Sequence, residues 1–241
     1  MGSDTFKFSN AVLLAPLLAV LSIWIVFWVE VQFGINLNEY GVYPRRLSGL
    51  KGVLFSPFIH GSIAHLYNNT IPLAVLTAFL FYFYRSAALR VLLLGTLASG
   101  LLTWAIARPS YHIGASGVIY LLASFIFFKG ILAKNYRLVA LSLVVVFIYG
   151  SMIWYIFPVK DGISWEGHLA GFTTGLVLAF VTRVRVPEVR KYDWEREDFN
   201  EDDDPFLKHF DENGNFIEIS EEEKTEDKIE IKYHYKESKK D

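Results

Sequence analysis

Cysteine is absent from this 241-residue chain, which removes disulfides, zinc–thiolate centres and thiol nucleophiles and leaves the redox compartment undetermined. Acidic side chains are scarce over most of its length: residues 1–186 hold 5 Asp/Glu against 13 Lys/Arg, a balance of +8. The formal net charge of −2 therefore conceals a division, because residues 187–241 hold 20 acidic against 10 basic side chains, a balance of −10. A cleavable leader is not expected. The apolar run from Ala11 to Val29 is too long for a signal-peptide core, and no small-residue cleavage site follows it. Met1-Gly2-Ser3 fails as a myristoylation start, since Phe6 stands where Ser or Thr is needed.

What is present is apolar. Hydrophobic residues make up 53% of the chain and the mean hydropathy is +0.31, which points away from an ordinary soluble domain. A membrane span needs about 20 mostly apolar residues, and six stretches qualify: 11–31, 64–84, 87–107, 115–133, 137–157 and 166–182. The expected fold is an all-α polytopic membrane protein, with six transmembrane helices over residues 1–186 and a mostly flexible acidic tail over 187–241. The Lys/Arg distribution sets its orientation. Lys7, Arg85, Arg90, Lys134, Arg137, Arg183 and Arg185 fall on one side, which should be the cytoplasm, so both termini are expected there and the protein in a cell membrane, with a bacterial plasma membrane favoured. The loop over 32–63, with Tyr43-Pro44-Arg45-Arg46 and Pro57-Phe58, reads as a folded flap at the opposite interface. In the tail, 216–219 and 229–235 alternate with period two and could pair as a small hairpin, although a lone hairpin is marginal in water.

The polar residues within the spans are the functional candidates. Spans two, four and six run in the same direction, so their first turns share one side. From Asn69 to the anchor Arg85 is 16 residues, from Ser116 to Lys129 or Lys134 is 13 to 18, and from His168 to Arg183 is 15. At the helical rise these correspond to about 24 Å, 20–27 Å and 22 Å. Three helices thus carry Asn, Ser and His at one level. Gly114-Ala115-Ser116-Gly117 puts Ser116 in the first turn of a helix, where unpaired N–H groups and the dipole favour an anion. Tyr120 lies one turn deeper on the same face and can support an imidazole, and His65 and Asn69, also four apart, can donate to one point. Gly167, Gly171 and Gly175 allow the sixth span to approach the fourth, bringing His168 towards Ser116. Taken singly, each residue has a plainer reading as a helix–helix hydrogen bond; the joint placement carries the case. His60 and His112 read as structural or gating residues at the outer interface, and His209 and His234 as solvated residues of the tail.

These motifs make the chain resemble the rhomboid family of intramembrane serine proteases over most of residues 40–183. His65-Leu66-Tyr67-Asn68-Asn69 matches HxxxN on the second span, Gly114-Ala115-Ser116-Gly117 matches GxSG on the fourth, and His168-Leu169-Ala170-Gly171 matches HxxG on the sixth. The resemblance implies a six-helix rhomboid-like bundle and a Ser–His dyad without a third acidic member. Ser116 would be the nucleophile and His168 the general base. His65, Asn69 and the Ser116 N–H would form the oxyanion hole, with Gly114 and Tyr120 supporting. The substrates would be transmembrane segments of other membrane proteins, cut near their outer ends. The activity implied needs no cofactor, metal ion or nucleic acid. The flap departs from the family in having Pro44-Arg45-Arg46 where many members have a Trp-Arg pair. The alternative is an inactive rhomboid-like protein that binds membrane helices without cutting them. Such proteins typically lack the Ser or the His, and both are present here. A transporter would need a polar path through the inner halves of spans two, four and six, which are nearly all apolar.

Overall fold

A chain in hydrocarbon must satisfy its own amides, and long apolar sequences therefore close into helices. The computed structural model describes residues 6, 8–184, 192, 194 and 196–217. Its helices are α1 (Ala11–Phe33), α2 (Gly52–Phe55), α3 (Ile63–Phe83), α4 (Arg85–Ile106), α5 (Ser116–Leu132), α6 (Tyr136–Tyr149) and α7 (Trp165–Val181), with the 3₁₀ stretch Gly150–Ile156 continuing α6. Four of these are long and apolar enough to cross a membrane: α1, α3, α4 and α6 with its continuation to Ile156. Helix α5 is apolar but shorter. The ends follow ordinary capping rules. Ser62 accepts the His65 N–H at the start of α3, Asn135 accepts the Arg137 N–H at the start of α6, and α1 stops at Gly34 in the left-handed conformation, φ 63°.

The polarity pattern is that of a protein surrounded by lipid. Leu13, Leu17, Leu94, Leu143 and Phe147 are exposed, whereas Thr77, Ser99, Ser124 and Ser142 are buried between helices. With lipid outside, apolar burial does not drive helix association, and small or hydroxyl residues mark the contacts. Helix α5 is central: Ile119, Leu121, Leu122, Phe125 and Ile126 are all at most 1% exposed. Its most extensive partner is α7. A Cβ at Gly171 would strike the Gly117 carbonyl, and one at Gly175 would strike the Leu121 carbonyl. These two α7 glycines, one turn apart, set the separation of the helices that carry Ser116 and His168.

The flap folds as expected for a segment too long to be a connector. Short 3₁₀ turns at Asn38–Tyr40, Leu47–Lys51 and Ser56–Phe58 surround α2. Val42 pairs with His112 through two backbone hydrogen bonds of 2.9 Å, and Trp104 Nε1 donates to the Arg46 carbonyl at 2.9 Å. Arg46 lies over the Tyr43 ring and Lys51 over Tyr40.

The chain divides into two compact units, Met1–Val189 and Arg190–Asp241. Within the second, the described stretch is shaped by local turns. Asn200 accepts the Asp202 N–H, Asp204 accepts those of Phe206 and Leu207, and Asp211 accepts those of Asn213 and Asn215. Phe216 pairs with Phe210 across that last turn. Residues 218–219 and 229–235, the remainder of the expected hairpin, lie outside the described residues. His209 was expected in solvent but is half-buried and stacks on Phe216, because the turn folds the two rings onto one another.

Candidate active site

The first turns of α3, α5 and α7 converge. His168 Nε2 lies 2.9 Å from Ser116 Oγ. The other ring nitrogen, Nδ1, lies 2.9 Å from the Tyr155 carbonyl oxygen. A carbonyl can only accept, so Nδ1 carries the proton and the Nε2 lone pair faces the hydroxyl. This is the arrangement a general base needs, reached without a carboxylate. Indeed, no Asp or Glu occurs between Glu39 and Asp161. The Tyr120 ring stacks on the imidazole with centroids 4.3 Å apart and planes at 12°, and its hydroxyl donates to the Met152 carbonyl at 2.7 Å. The 3₁₀ stretch after α6 therefore holds both rings, one by each carbonyl. His168 is 8% exposed and Tyr120 5%.

Across from the dyad stands the pair on α3. Gly114 has φ +108°, and a Cβ there would lie 2.6 Å from His65 Cε1 and 3.6 Å from Asn69 Nδ2. Only glycine tolerates both that backbone angle and the approach of the His65 ring. Asn69 is 5% exposed and its Nδ2 has no hydrogen-bond partner. A buried, unsatisfied donor costs about 1–3 kcal/mol, and such groups gather where a ligand or developing charge completes them. The preceding amides are already used: Gly114 N–H donates to the Ser56 carbonyl at 2.9 Å, and Ala115 N–H to His60 Nε2 at 3.4 Å. Ser116, the first residue of α5, has no intrahelical acceptor for its own N–H. A cavity of ≈ 40 Å³ adjoins the serine, with Ser56, Thr103, His112 and Ser164 in its lining beside the apolar Val53 and Ile113, a size that accommodates water.

His60 and His112, read from the sequence as structural or gating residues at the outer interface, are 2% and 5% exposed. Each is buried because it fastens a loop. His60 Nδ1 donates to the Phe58 carbonyl, leaving Nε2 to accept from Ala115. Burial, with His65 close by, holds its pKa down to about 4, against the opposing pull of the Phe58 carbonyl. The His112 pKa is likewise lowered by burial. Sequence alone assigns both histidines a structural or gating role but not the loops that they fasten. The Tyr155 and Met152 carbonyls left no signal at all, since every residue has one.

The sequence model of the Rhomboid domain matches residues 48–185. The chain belongs to the rhomboid family. Two relatives, from Mycobacterium tuberculosis and Mycobacterium bovis, are 33% identical to it over 171 residues, covering 67% of this chain and 71% of theirs. A Mycobacterium leprae protein is 30% identical over 155 residues, covering 61% of each. All three bear names that give neither a family nor an activity, so family membership rests on the domain match. Rhomboid proteins are generally intramembrane serine proteases, and the apolar helices of this one make it a multi-pass membrane protein.

Proposed function

We propose that this rhomboid protein is an active intramembrane serine endopeptidase in a cell membrane, with six spans over residues 1–186 and both termini cytoplasmic. Helices α5 and α7, each 17 residues long, are the shorter spans. Much of α5 is shielded by its neighbours, so it needs less apolar length facing lipid than α1 does. Residues 187–241 form the cytoplasmic tail. The observation that carries the activity is the 2.9 Å approach of His168 Nε2 to Ser116 Oγ, with the Nδ1 proton tied to the Tyr155 carbonyl.

In the reaction, His168 takes the Ser116 proton as Oγ attacks the peptide carbonyl of a substrate's transmembrane segment, and then returns it to the leaving amine. The oxyanion draws on the Ser116 N–H, Asn69 Nδ2 and His65; removing one such donor costs about 3 kcal/mol in comparable sites. Water from the cavity beside Ser116 then hydrolyses the acyl-enzyme, with His168 acting again as base. Attack requires an extended segment, so substrates with Gly, Pro or other helix-weakening residues near the outer end of their span are preferred.

The test is direct. Purified protein is expected to be labelled by a fluorophosphonate and to cleave a synthetic transmembrane substrate in detergent, and Ser116→Ala to lose both while keeping the wild-type Tm. Absence of labelling and cleavage in the wild type would sink the reading and leave the non-cutting alternative.

A further inference from the structure

Glu166 stands two residues before the base, in the first turn of α7, and is 3% exposed although it is a carboxylate. Its Oε1 accepts the backbone N–H of Arg108 at 3.2 Å and lies 3.7 Å from the Arg108 Nε. Its Oε2 has no partner. Arg108 in turn reaches along the same loop–helix junction, donating from Nη2 to the Ile163 carbonyl at 2.6 Å. A second connection runs beside the first. His112 Nε2 donates to the Arg108 carbonyl at 3.0 Å, which leaves Nδ1 to accept from the Ser164 hydroxyl at 2.5 Å. Ser164 is the N-cap residue of α7, yet its side chain makes no capping bond. It is turned from its usual acceptor, the helix amides, towards the His112 ring.

Both connections join the same two pieces of chain. One is the loop from Arg108 to Ala115, which ends on Ser116; the other is the start of α7, which carries His168. Their link to the dyad runs through backbone: the Ser164 carbonyl accepts the His168 N–H at 3.2 Å. A buried carboxylate with one oxygen unpaired is a poor stabiliser, since desolvation offsets most of what the ion pair gains. Its location is better explained by geometry: it ties the nucleophile's loop to the base's helix at a point eight residues before Ser116 and two before His168.

We infer that Glu166, with the His112–Ser164 strut beside it, is a positioning residue that sets the Ser116–His168 separation by clamping the 108–115 loop to the first turn of α7. The inference rests on the protease reading for its kinetic consequence but not for its structural one. Displacing reacting groups by about 1 Å costs up to about a hundredfold in rate. In Glu166→Ala, kcat on a transmembrane substrate and the rate of fluorophosphonate labelling should both fall between about tenfold and a hundredfold, with KM within about twofold. Glu166→Gln keeps an oxygen that accepts the Arg108 N–H and should recover most of that loss. Ser164→Ala removes only the strut, at near-constant volume, and should give a smaller fall in the same direction. It stands in as the deciding variant if Glu166→Ala fails to fold. Amide hydrogen exchange over residues 108–116, which does not depend on catalysis, should speed up in Glu166→Ala and in Ser164→Ala. Faster exchange in a wild-type background that neither labels nor cleaves would keep the clamp and sink the protease. Unchanged exchange, or a variant that loses Tm while its folded fraction keeps full kcat, would overturn the clamp.

Discussion

The two ends of the α3, α5 and α7 assembly use polar groups in opposite ways. At the first-turn end, Ser116 and His168 bond to one another, and Asn69 Nδ2 and Glu166 Oε2 are buried without partners. Farther along the helices Thr77 Oγ1 is also without a partner, but other polar atoms are spent on neighbouring backbone. Ser124 donates to the Phe172 carbonyl at 2.8 Å, Ser142 approaches the Phe127 carbonyl at 2.9 Å, and Lys129 Nζ donates to the Ala179 carbonyl at 3.0 Å. The second set holds helices together, as hydroxyls and small residues do in lipid. The first set is left short of partners. A buried polar atom without a partner lowers stability, and Asn69 Nδ2 is such an atom, set where the proposed oxyanion would complete it.

That contrast can be broken by mutation. The largest effect is expected from Asn69→Ala, which should lower kcat by about a hundredfold or more, as loss of an oxyanion donor does. Its Tm should hold or rise, because the amide nitrogen it removes is unpaired; a large loss of Tm with full activity would place Asn69 among the packing residues instead. Next comes Tyr120→Ala, expected to cost about tenfold in kcat by freeing the His168 ring, since a stacked aromatic contact is worth about 0.5–1.5 kcal/mol. Tyr120→Phe keeps the ring and loses only the bond to Met152, so its cost should be smaller, and a full-rate Tyr120→Ala enzyme would remove the support role. Ser142→Ala should reverse the pattern, lowering stability by about 1 kcal/mol in detergent while leaving kcat unchanged. A kinetic defect there would blur the two ends.

The last prediction concerns pH. The folded-state pKa of His60 is depressed to about 4, so the unfolded chain binds the proton more readily. Stability should therefore be constant above about pH 6.5 and decline as pH falls from there towards 4. Tm measured across that range should fall less in His60→Asn than in the wild type; parallel curves would show that another group sets the acid limit.

Helix positions were legible to within a few residues because apolar length alone decides where a chain can form helices in a bilayer. The 3₁₀ turn over Gly150–Ile156 was not, since it is as apolar as the helix it continues and differs only in how its carbonyls point. Ser116, His168, Asn69, His65 and Tyr120 could be picked out because each is a polar or aromatic group in a first turn or one turn deeper. Glu166 was visible as a residue, yet its partner Arg108 is 58 positions away, a pairing that no local spacing encodes. The burial of His60 and His112 was missed for the same reason, because both fasten segments that meet only once the flap has folded.

By itself, then, the sequence determined a helical membrane body, the residue types at one depth, and the family they belong to. Hydrophobic length and the scarcity of polar groups in apolar spans leave few alternatives at that level. The tertiary structure alone decided which nitrogen of His168 carries the proton, which amides near Ser116 are already spent, and what ties the helices of Ser116 and His168 together. Those matters rest on backbone carbonyls and long-range pairs. A carbonyl is common to every residue, and only folding chooses the side chain it meets.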